Sequence, residues 1–527
     1  MHTKTLSANN EGNITSGSNL SYWIDTIEQE SFHALSSNIE TDILIIGAGI
    51  AGVTTAYCLT KAGKKVVLIE DGLPGSGETG RTTAHIVNAL DDRYYDLEKM
   101  HGKENAKLAA ESHTAAIDFV ERTVTELNID CDFTRLNGYL FLHPTDKEKN
   151  LRDEYEATRR AGIETELINH VPGIQHEQGL AIRFPNQAQF HPMKYLNALV
   201  EYITSNGSSI YTNTHAEEFK KNEVVANGFT IKANHIVVAT NSPVNNLFTD
   251  HTKQFPYRTY VIGALIPKGA IEKALWWDTG DQESKWVTYP YHYARLQDYD
   301  EQNDLLIVGG EDHKTGQADA EDITQDERYN RLKEWTRLRF PMMKEVMYNW
   351  SGQVLEPVDS LAFIGRNPGD DNVYIITGDS GNGMTHGTIG GMLISDLITD
   401  NESAWEKIYD PSRISLKATG DFLKEVGNMT AQYADYLKPG DIKSAEELSA
   451  GEGAIMNAGL HKVAVYKEAD GLVNAYSAIC PHLGCILQWN GDEKSFDCPC
   501  HGSRFTSKGV VINGPAISNL HKYDIKE

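Results

Sequence analysis

Four of the six cysteines in this 527-residue chain fall within the run CPHLGCILQWNGDEKSFDCPCHGSRF, Cys480 to Phe505. The run pairs Cys480-x-His482 with Cys498-x-x-His501, and Cys485 and Cys500 stand beside the two halves. Two thiolates and two imidazoles can hold metal in two ways. One is a tetrahedral zinc site. The other is a [2Fe–2S] cluster with both sulfurs on one iron and both histidines on the other, where neutral imidazoles lower the negative charge and ease reduction. Three features weigh against zinc: the one-residue gap between Cys480 and His482, the surplus but symmetric Cys485 and Cys500, and Leu-Gly and Gly-Ser residues suited to backbone folded tightly round a cluster.

A second stretch could do different chemistry. Gly47-Ala48-Gly49-Ile50-Ala51-Gly52 follows an apolar strand (Ile43–Ile46), opens a helical pattern, and is followed by a strand (Lys65–Ile69) ending at Glu70. In that context G-x-G-x-x-G is a dinucleotide fingerprint. Gly47 permits the tight turn, Gly49 lets backbone approach a pyrophosphate, and Gly52 lets helix and strand pack closely. Amides at the helix N-terminus face the anion. Glu70 is placed to accept from a ribose diol, and an acid there argues against a 2′-phosphate. GSGETGRTTAHI (Gly75–Ile86) adds glycines and hydroxyls for a second phosphate-and-flavin loop. TGDSGNGMTHG (Thr377–Gly387) lies between a strand and a helix that no acid-ended strand follows. It reads as backbone approaching a flavin, with the helix N-terminus beside the pyrimidine carbonyl.

These motifs carry two resemblances. C-P-H-L-G-C and C-P-C-H-G-S closely resemble the two boxes of Rieske proteins, over roughly Asp441–Glu527. The resemblance implies Cys480 and Cys498 on one iron, His482 and His501 on the other, a Cys485–Cys500 disulfide between the loops, and Gly514–Ala516 as the proline loop covering the cluster. Phe505 stands where the respiratory Rieske proteins carry a tyrosine that raises the potential. The expected midpoint therefore lies inside the roughly −150 to +300 mV Rieske window and below its top.

The glycine fingerprint, together with HPMKYLNAL, IVVATNSP, LLIVGGEDHKTG and WSGQVLEPVDSLAFIG, resembles the D-amino-acid oxidase superfamily over about Thr41–Asp410. That resemblance implies FAD, held by Gly47, Gly49, Ile50, Ala51, Gly52, Glu70, Thr79, Gly80, Arg81, Thr82, Gly378, Asp379, Gly381, Asn382, Gly383, Met384 and Thr385. It also implies a substrate domain woven between the FAD-binding segments. Flavoproteins of this type fused to a C-terminal Rieske domain form a recognisable bacterial group, which the whole chain resembles.

Relatives of the flavoprotein half oxidise a carbon next to an amine, often with no obligatory acid–base residue, so orientation and electrostatics are the protein's contribution. The implied order is amine or amino-acid-like substrate, FAD, cluster, then an external one-electron acceptor: a dehydrogenase rather than an oxidase. A flavin monooxygenase fed through the cluster is the rival, but it would want an NAD(P)H fingerprint that the sequence lacks. A non-catalytic redox carrier or sensor is a third reading. For substrate, Tyr289, Tyr291, Tyr293 and Arg295 share one face if TYPYHYARL is a strand, with Arg295 available to a carboxylate. Arg258 is a second candidate, and His85 and His313 are histidines that could lie near the flavin. For all of these a structural role is the ordinary alternative.

These residues must be positioned by an α/β, Rossmann-type domain with an interleaved antiparallel sheet, followed by a small all-β unit. Residues 1–40 read as a tail and entry segment, disordered to about 20 and amphipathic over Tyr22–Leu35. Residues 41–410 read as the flavin unit, 411–440 as a connector and 441–527 as the Rieske unit. Helical patterns occupy Leu97–Leu127, Asp146–Arg160, His191–Gly207 and Thr324–Asn349, and strands dominate Thr212–Val308. A net charge of −26 argues against nucleic acid and anionic membrane. No 18-residue apolar run and no secretory leader are found, so the expected location is cytoplasmic. Cys58 and Cys131 read as buried, reduced thiols.

Overall fold

The computed structural model describes residues 15–175, 179–244, 253–286, 288–317, 323–413 and 419–525, with 419–423 and 425 described by backbone alone. Its first layer is built on the strand Ile39–Ile46, whose ILII end is buried on both faces. It pairs in parallel with Val66–Ile69 on one side and Phe229–Val238 on the other, Ile43 standing opposite Val66 and His235. The sheet runs Phe363–Arg366, Val373–Thr377, Phe229–Val238, Ile39–Ile46, Val66–Ile69, Ser209–Tyr211. Strands covered on both faces need continuous apolar runs, which is what ILII, VVLI and VYIIT supply. Two helices, Ile50–Lys61 and Gly383–Ile398, pack against each other through glycine. A Cβ at Gly391 would lie 2.5 Å from Thr54 Cγ2, and one at Gly387 2.7 Å from Ile50 Cγ2.

The second layer is a mostly antiparallel sheet assembled from distant segments, in the order Val346–Pro357, Gln254–Pro267, Asn303–Lys314, Tyr293–Asp298, Leu275–Asp278, Thr134–Phe141, Ala181–Gln189, His85–Ile86. Gln254–Pro267 is buried along nearly its whole length because it is paired on both edges. The C-terminal unit is all β, with one sheet of Gly453–Ala458, His461–Lys467 and Val473–Ser477 and another of Gln488–Asn490, Ser495–Asp497, Arg504–Thr506 and Val511–Asn513. The fold class matches the sequence expectation. Among the described residues no helix is long and apolar enough to cross a membrane.

Several local expectations are corrected. The helix expected over Thr324–Asn349 spans Gln325–Arg339, and Val346–Pro357 is a strand. Pro341 cannot continue a helix, and the following residues pair with Gln254–Pro267. The Leu97–Leu127 pattern is two helices, Tyr94–His101 and Lys103–Leu127, separated by Gly102 at φ +84°. The piece read as amphipathic over Tyr22–Leu35 opens with a short helix, Tyr22–Thr26. Residues 1–14 of the expected tail lie outside the described residues, but Ser16 and Asn19 are buried against the C-terminal unit. The 411–440 stretch contains a helix, Thr419–Gln432, and a 3-10 turn, Tyr433–Tyr436. Cys131 is buried and Cys58 half-buried, both as free thiols.

Candidate functional site

A cavity of about 330 Å3 opens where the parallel strands end, lined there by Ile46, Ile69, Ala239 and Thr377. This is the crevice in which open α/β sheets bind ligands. Gly47, at φ +101°, sits so close to the Ala239 carbonyl that a side chain could not be accommodated, and Gly52 is likewise pressed on the Gly47 carbonyl. Gly49 is the N-cap of the Ile50–Lys61 helix and supplies no capping side chain, while Thr79 Oγ1 accepts from Ile50 N at 3.0 Å. Glu70 accepts from Ala48 N (2.6 Å) and Gly72 N (2.9 Å). Burial nevertheless pushes its carboxyl up to about 7.

On the far wall Gly378 and Gly381 take φ +73° and +70° and lead into the Gly383–Ile398 helix, whose N-cap, Asn382, makes no side-chain cap bond. Gly47, Gly49, Ile50, Ala51, Glu70, Thr79, Arg81, Thr82, Gly378, Asp379, Gly381, Asn382, Gly383 and Met384 all line the cavity. Gly52, Gly80 and Thr385 are absent from its lining; Thr385 Oγ1 lies 2.9 Å from His113 Nδ1 instead. This cradle fits a dinucleotide, because its glycines leave room for backbone to approach a pyrophosphate and neither helix N-cap residue, Gly49 or Asn382, covers its helix end with a side-chain bond.

The substrate-side expectations need correction. Tyr289 precedes the strand, at φ +45°, and is exposed; the strand begins at Tyr293, so the four residues do not share one strand face. Tyr291 and Tyr293 do line the cavity. Arg295 is fully buried and donates to the carbonyls of Thr83 (3.2 Å), Ala84 (2.8 Å) and Phe190 (3.1 Å), so it is unavailable to a substrate carboxylate. Burial lowers it to about 9. Arg258 is buried away from the cavity lining and donates to Ser351 Oγ at 2.8 Å. His313 lies between the Tyr260 hydroxyl (2.9 Å) and the Lys314 carbonyl (2.7 Å), also outside the lining. His85 is in the lining, its ring nitrogens 3.0 Å from Thr83 Oγ1 and 3.4 Å from the Ala294 carbonyl. Burial holds it neutral, at about 3.

Sequence reading missed the carboxyls. Asp91, Asp92, Asp312, Glu356 and Asp379 all line this cavity, and only Asp379 was singled out beforehand. Ser380 Oγ lies between Asp92 and Glu356, 2.8 Å from Glu356 Oε2. Burial pushes Asp91 up to about 6 and Asp92 and Asp312 to about 7, and raises Glu356 well above the usual carboxylate range. The run ALDDRYYD was the available signal, but nothing in it says that the acids point inward.

In the C-terminal unit, Cys480 and Cys498 lie side by side and are almost fully buried. Backbone amides of His482 and Leu483 point at the Cys480 sulfur, those of Cys500 and His501 at the Cys498 sulfur, and the Ser503 hydroxyl reaches Cys480. The His482 and His501 rings stand 4.9 Å apart. Cys485 and Cys500 are joined by a disulfide with Cα atoms 6.5 Å apart. Ala516 N, beside Pro515, donates to Ser503 Oγ at 3.0 Å and ties the proline loop to the second box. Amides converging on two neighbouring sulfurs, with two imidazoles beside them, fit a [2Fe–2S] cluster with stabilised thiolates.

The two sites share a wall. Val511–Asn513, Gly514, Ala516 and Ile517 of the C-terminal unit line the same cavity as Gly47 and Gly381. Gln353, also in the lining, donates through Nε2 to the Gly502 carbonyl, next to His501, at 3.1 Å. Arg81, expected at the flavin, has its guanidinium turned into the interface. It pairs with Glu493 (2.6 Å) and donates to Ser16 Oγ, Asn19 O and Ser351 O. Burial alone would raise Glu493; Arg81, Arg258 and Arg504 outweigh it and hold the carboxyl below its usual range. Arg504 in turn donates to Asp497, Asn513 and the Ser16 carbonyl.

Comparison with known proteins agrees with both halves. A family model described as FAD dependent oxidoreductase (DAO) matches residues 42–397, and one described as Rieske [2Fe-2S] domain matches 439–524. The Bacillus subtilis (strain 168) protein YhfW, named as a Rieske 2Fe-2S iron-sulfur protein, is 34% identical over 96% of this chain and 97% of its own length. The gamma-glutamylputrescine oxidoreductase of Escherichia coli (strain K12) is 25% identical over 70% of this chain and 85% of its own. The crystal structure of L-proline dehydrogenase from P. horikoshii superposes with a TM-score of 0.56 at 20% identity, covering 71% of this chain and 98% of that one.

Proposed function

We propose, for a chain that belongs to the FAD dependent oxidoreductase (DAO) family and carries a C-terminal Rieske [2Fe-2S] domain, that it is an amine or amino-acid-like dehydrogenase. Its electrons leave through the cluster to an external one-electron acceptor. When bound, FAD accepts the hydrogen and two electrons removed beside the nitrogen, and the cluster passes electrons on singly. Cys480, Cys498, His482 and His501 would hold the cluster, and the glycine cradle with Glu70, Thr79 and the Gly378–Met384 loop would hold FAD. The Cys485–Cys500 disulfide fixes the two cluster loops against each other.

The observation that carries this reading is the shared wall: the proline loop of the cluster unit, Gly514–Ala516, borders the flavin cavity itself. Gln353 supports it by spanning from that cavity to the carbonyl beside His501. An oxidase, which reoxidises its flavin with oxygen, would need neither. Tyr291 and Tyr293 line the cavity, and substrate orientation rather than a dedicated base supplies the rate.

Rapid mixing tests the relay. With substrate and no oxygen, flavin absorbance should bleach first and the cluster signal should follow in the same molecule. Reoxidation of the flavin by oxygen at oxidase-like rates, with the cluster remaining oxidised, overturns it. Cys498→Ser should abolish the cluster's spectroscopic signature and its iron while leaving bound FAD.

A further inference from the structure

Building on the reading of C–N oxidation, we propose that the cavity selects an amine bearing a second positive charge and no carboxylate, a diamine or polyamine, with Asp91, Asp92, Asp312 and Glu356 as the counter-charges.

The four carboxyls come from three distant segments and converge on one cavity. Gly381, on the loop expected at the flavin, leaves no room for a side chain beside Asp91, whose carboxylate also meets the Tyr291 hydroxyl. Among the described residues none of the four forms an ion pair. The cations nearby are committed elsewhere. Arg81 pairs with Glu493, His215 with Asp71, and Arg93 donates to the Leu90 and Asp278 carbonyls. His292 lies between Asp278 and Glu311. His85 and His386 are held neutral by burial, at about 3 and about 4.

Buried carboxyls without counter-charges are costly, and here they repel one another as well. An ammonium group is the partner that would relieve both penalties. A substrate carboxylate would add to them, since Arg258 and Arg295, the arginines that could have paired with it, are turned away from the cavity.

Two polar atoms of the lining are left unmatched, one on a carboxyl already named and one on a neighbouring indole. Asp312 Oδ1 is buried with no hydrogen-bond partner. Trp277, 4% exposed, lines the cavity and its indole Nε1–H meets no acceptor. Buried polar atoms are rarely left unmatched in a folded chain.

The test is an anaerobic titration of the full chain, loaded with FAD and cluster, against 1,4-diaminobutane, butylamine, 4-aminobutanoate and the free proteinogenic amino acids, following flavin absorbance. The diamine should half-bleach the flavin at a concentration at least tenfold below butylamine, and 4-aminobutanoate should be poorer still. Equal or better bleaching by 4-aminobutanoate or by free amino acids overturns the charge selection and leaves C–N oxidation standing. Bleaching by none of them removes both. Asp312→Asn should cut the preference for diamine over butylamine about tenfold, with Glu356→Gln as the second variant if the first does not fold. An unchanged preference in a folded variant overturns the assignment.

Discussion

Ser503 and Phe505 follow the second cysteine–histidine box and are the residues on which the proposed cluster's potential is expected to turn. Ser503 is fully buried, its hydroxyl reaches Cys480, and it also accepts from Ala516 N. Phe505 is equally buried and offers no hydroxyl. A hydrogen bond to a cluster sulfur favours the reduced, more negative state. Removing one worth about 1.4 kcal/mol lowers a one-electron potential by about 59 mV. Ser503→Ala is therefore expected to lower the midpoint by roughly that amount, read by redox titration of the cluster signal. An unchanged midpoint would mean that the hydroxyl gives nothing to the sulfur. At this scale the proposed ligand set was readable in the sequence because each box is contiguous, with its cysteine and histidine two or three positions apart. Arg258 and Arg295 were not. Alternation along a strand tells which residues share a face, not whether that face looks into a cavity or into packed carbonyls.

Among the elements, the 3-10 turn Glu78–Arg81, the strand Val346–Pro357 and the turn between Asn490 and Ser495 meet in the contact where the two units dock. Its centre is the Arg81–Glu493 pair, both side chains fully shielded from solvent. Neutralising one member leaves the other charged and buried, which costs about 3–5 kcal/mol, whereas replacing both with apolar groups is often neutral. Glu493→Gln should therefore lower stability by about that amount, and combining it with Arg81→Met should recover most of the loss in denaturant unfolding. If the single variant unfolds like the parent, the pair is not what holds the units together. The strand–helix–strand unit from Ile39 to Ile69 was legible because its apolar runs and glycines are local signals. The Val346–Pro357 strand was not: its burial depends on pairing with Gln254–Pro267, some ninety positions earlier.

For the molecule as a whole, the cluster unit is docked rather than hung on a linker. Ser16 and Asn19 are wedged between the halves, His215 Nε2 lies 2.8 Å from the Ile517 carbonyl, and Gln317 donates to the Pro499 carbonyl at 3.2 Å. The Tyr433 and Tyr436 hydroxyls close over the first cluster loop by donating to the Leu483 and Gly484 carbonyls. Electron transfer between the two centres should then need no domain swing, and its rate after anaerobic flavin reduction should not change with solvent viscosity. A rate falling in proportion to added glycerol would show that the unit must move. The sequence alone determined the two cofactor chemistries and the order of the two units, and its resemblance to the Rieske boxes pointed to the proposed cluster ligands, because each rests on short contiguous motifs. Only the tertiary structure decided that a loop of the C-terminal unit forms one wall of the cavity proposed for flavin, that Arg81 serves the interface, and that Asp91, Asp92, Asp312 and Glu356 line that cavity. Those facts depend on which distant surfaces meet, and the burial that makes them consequential does not exist until the chain has folded.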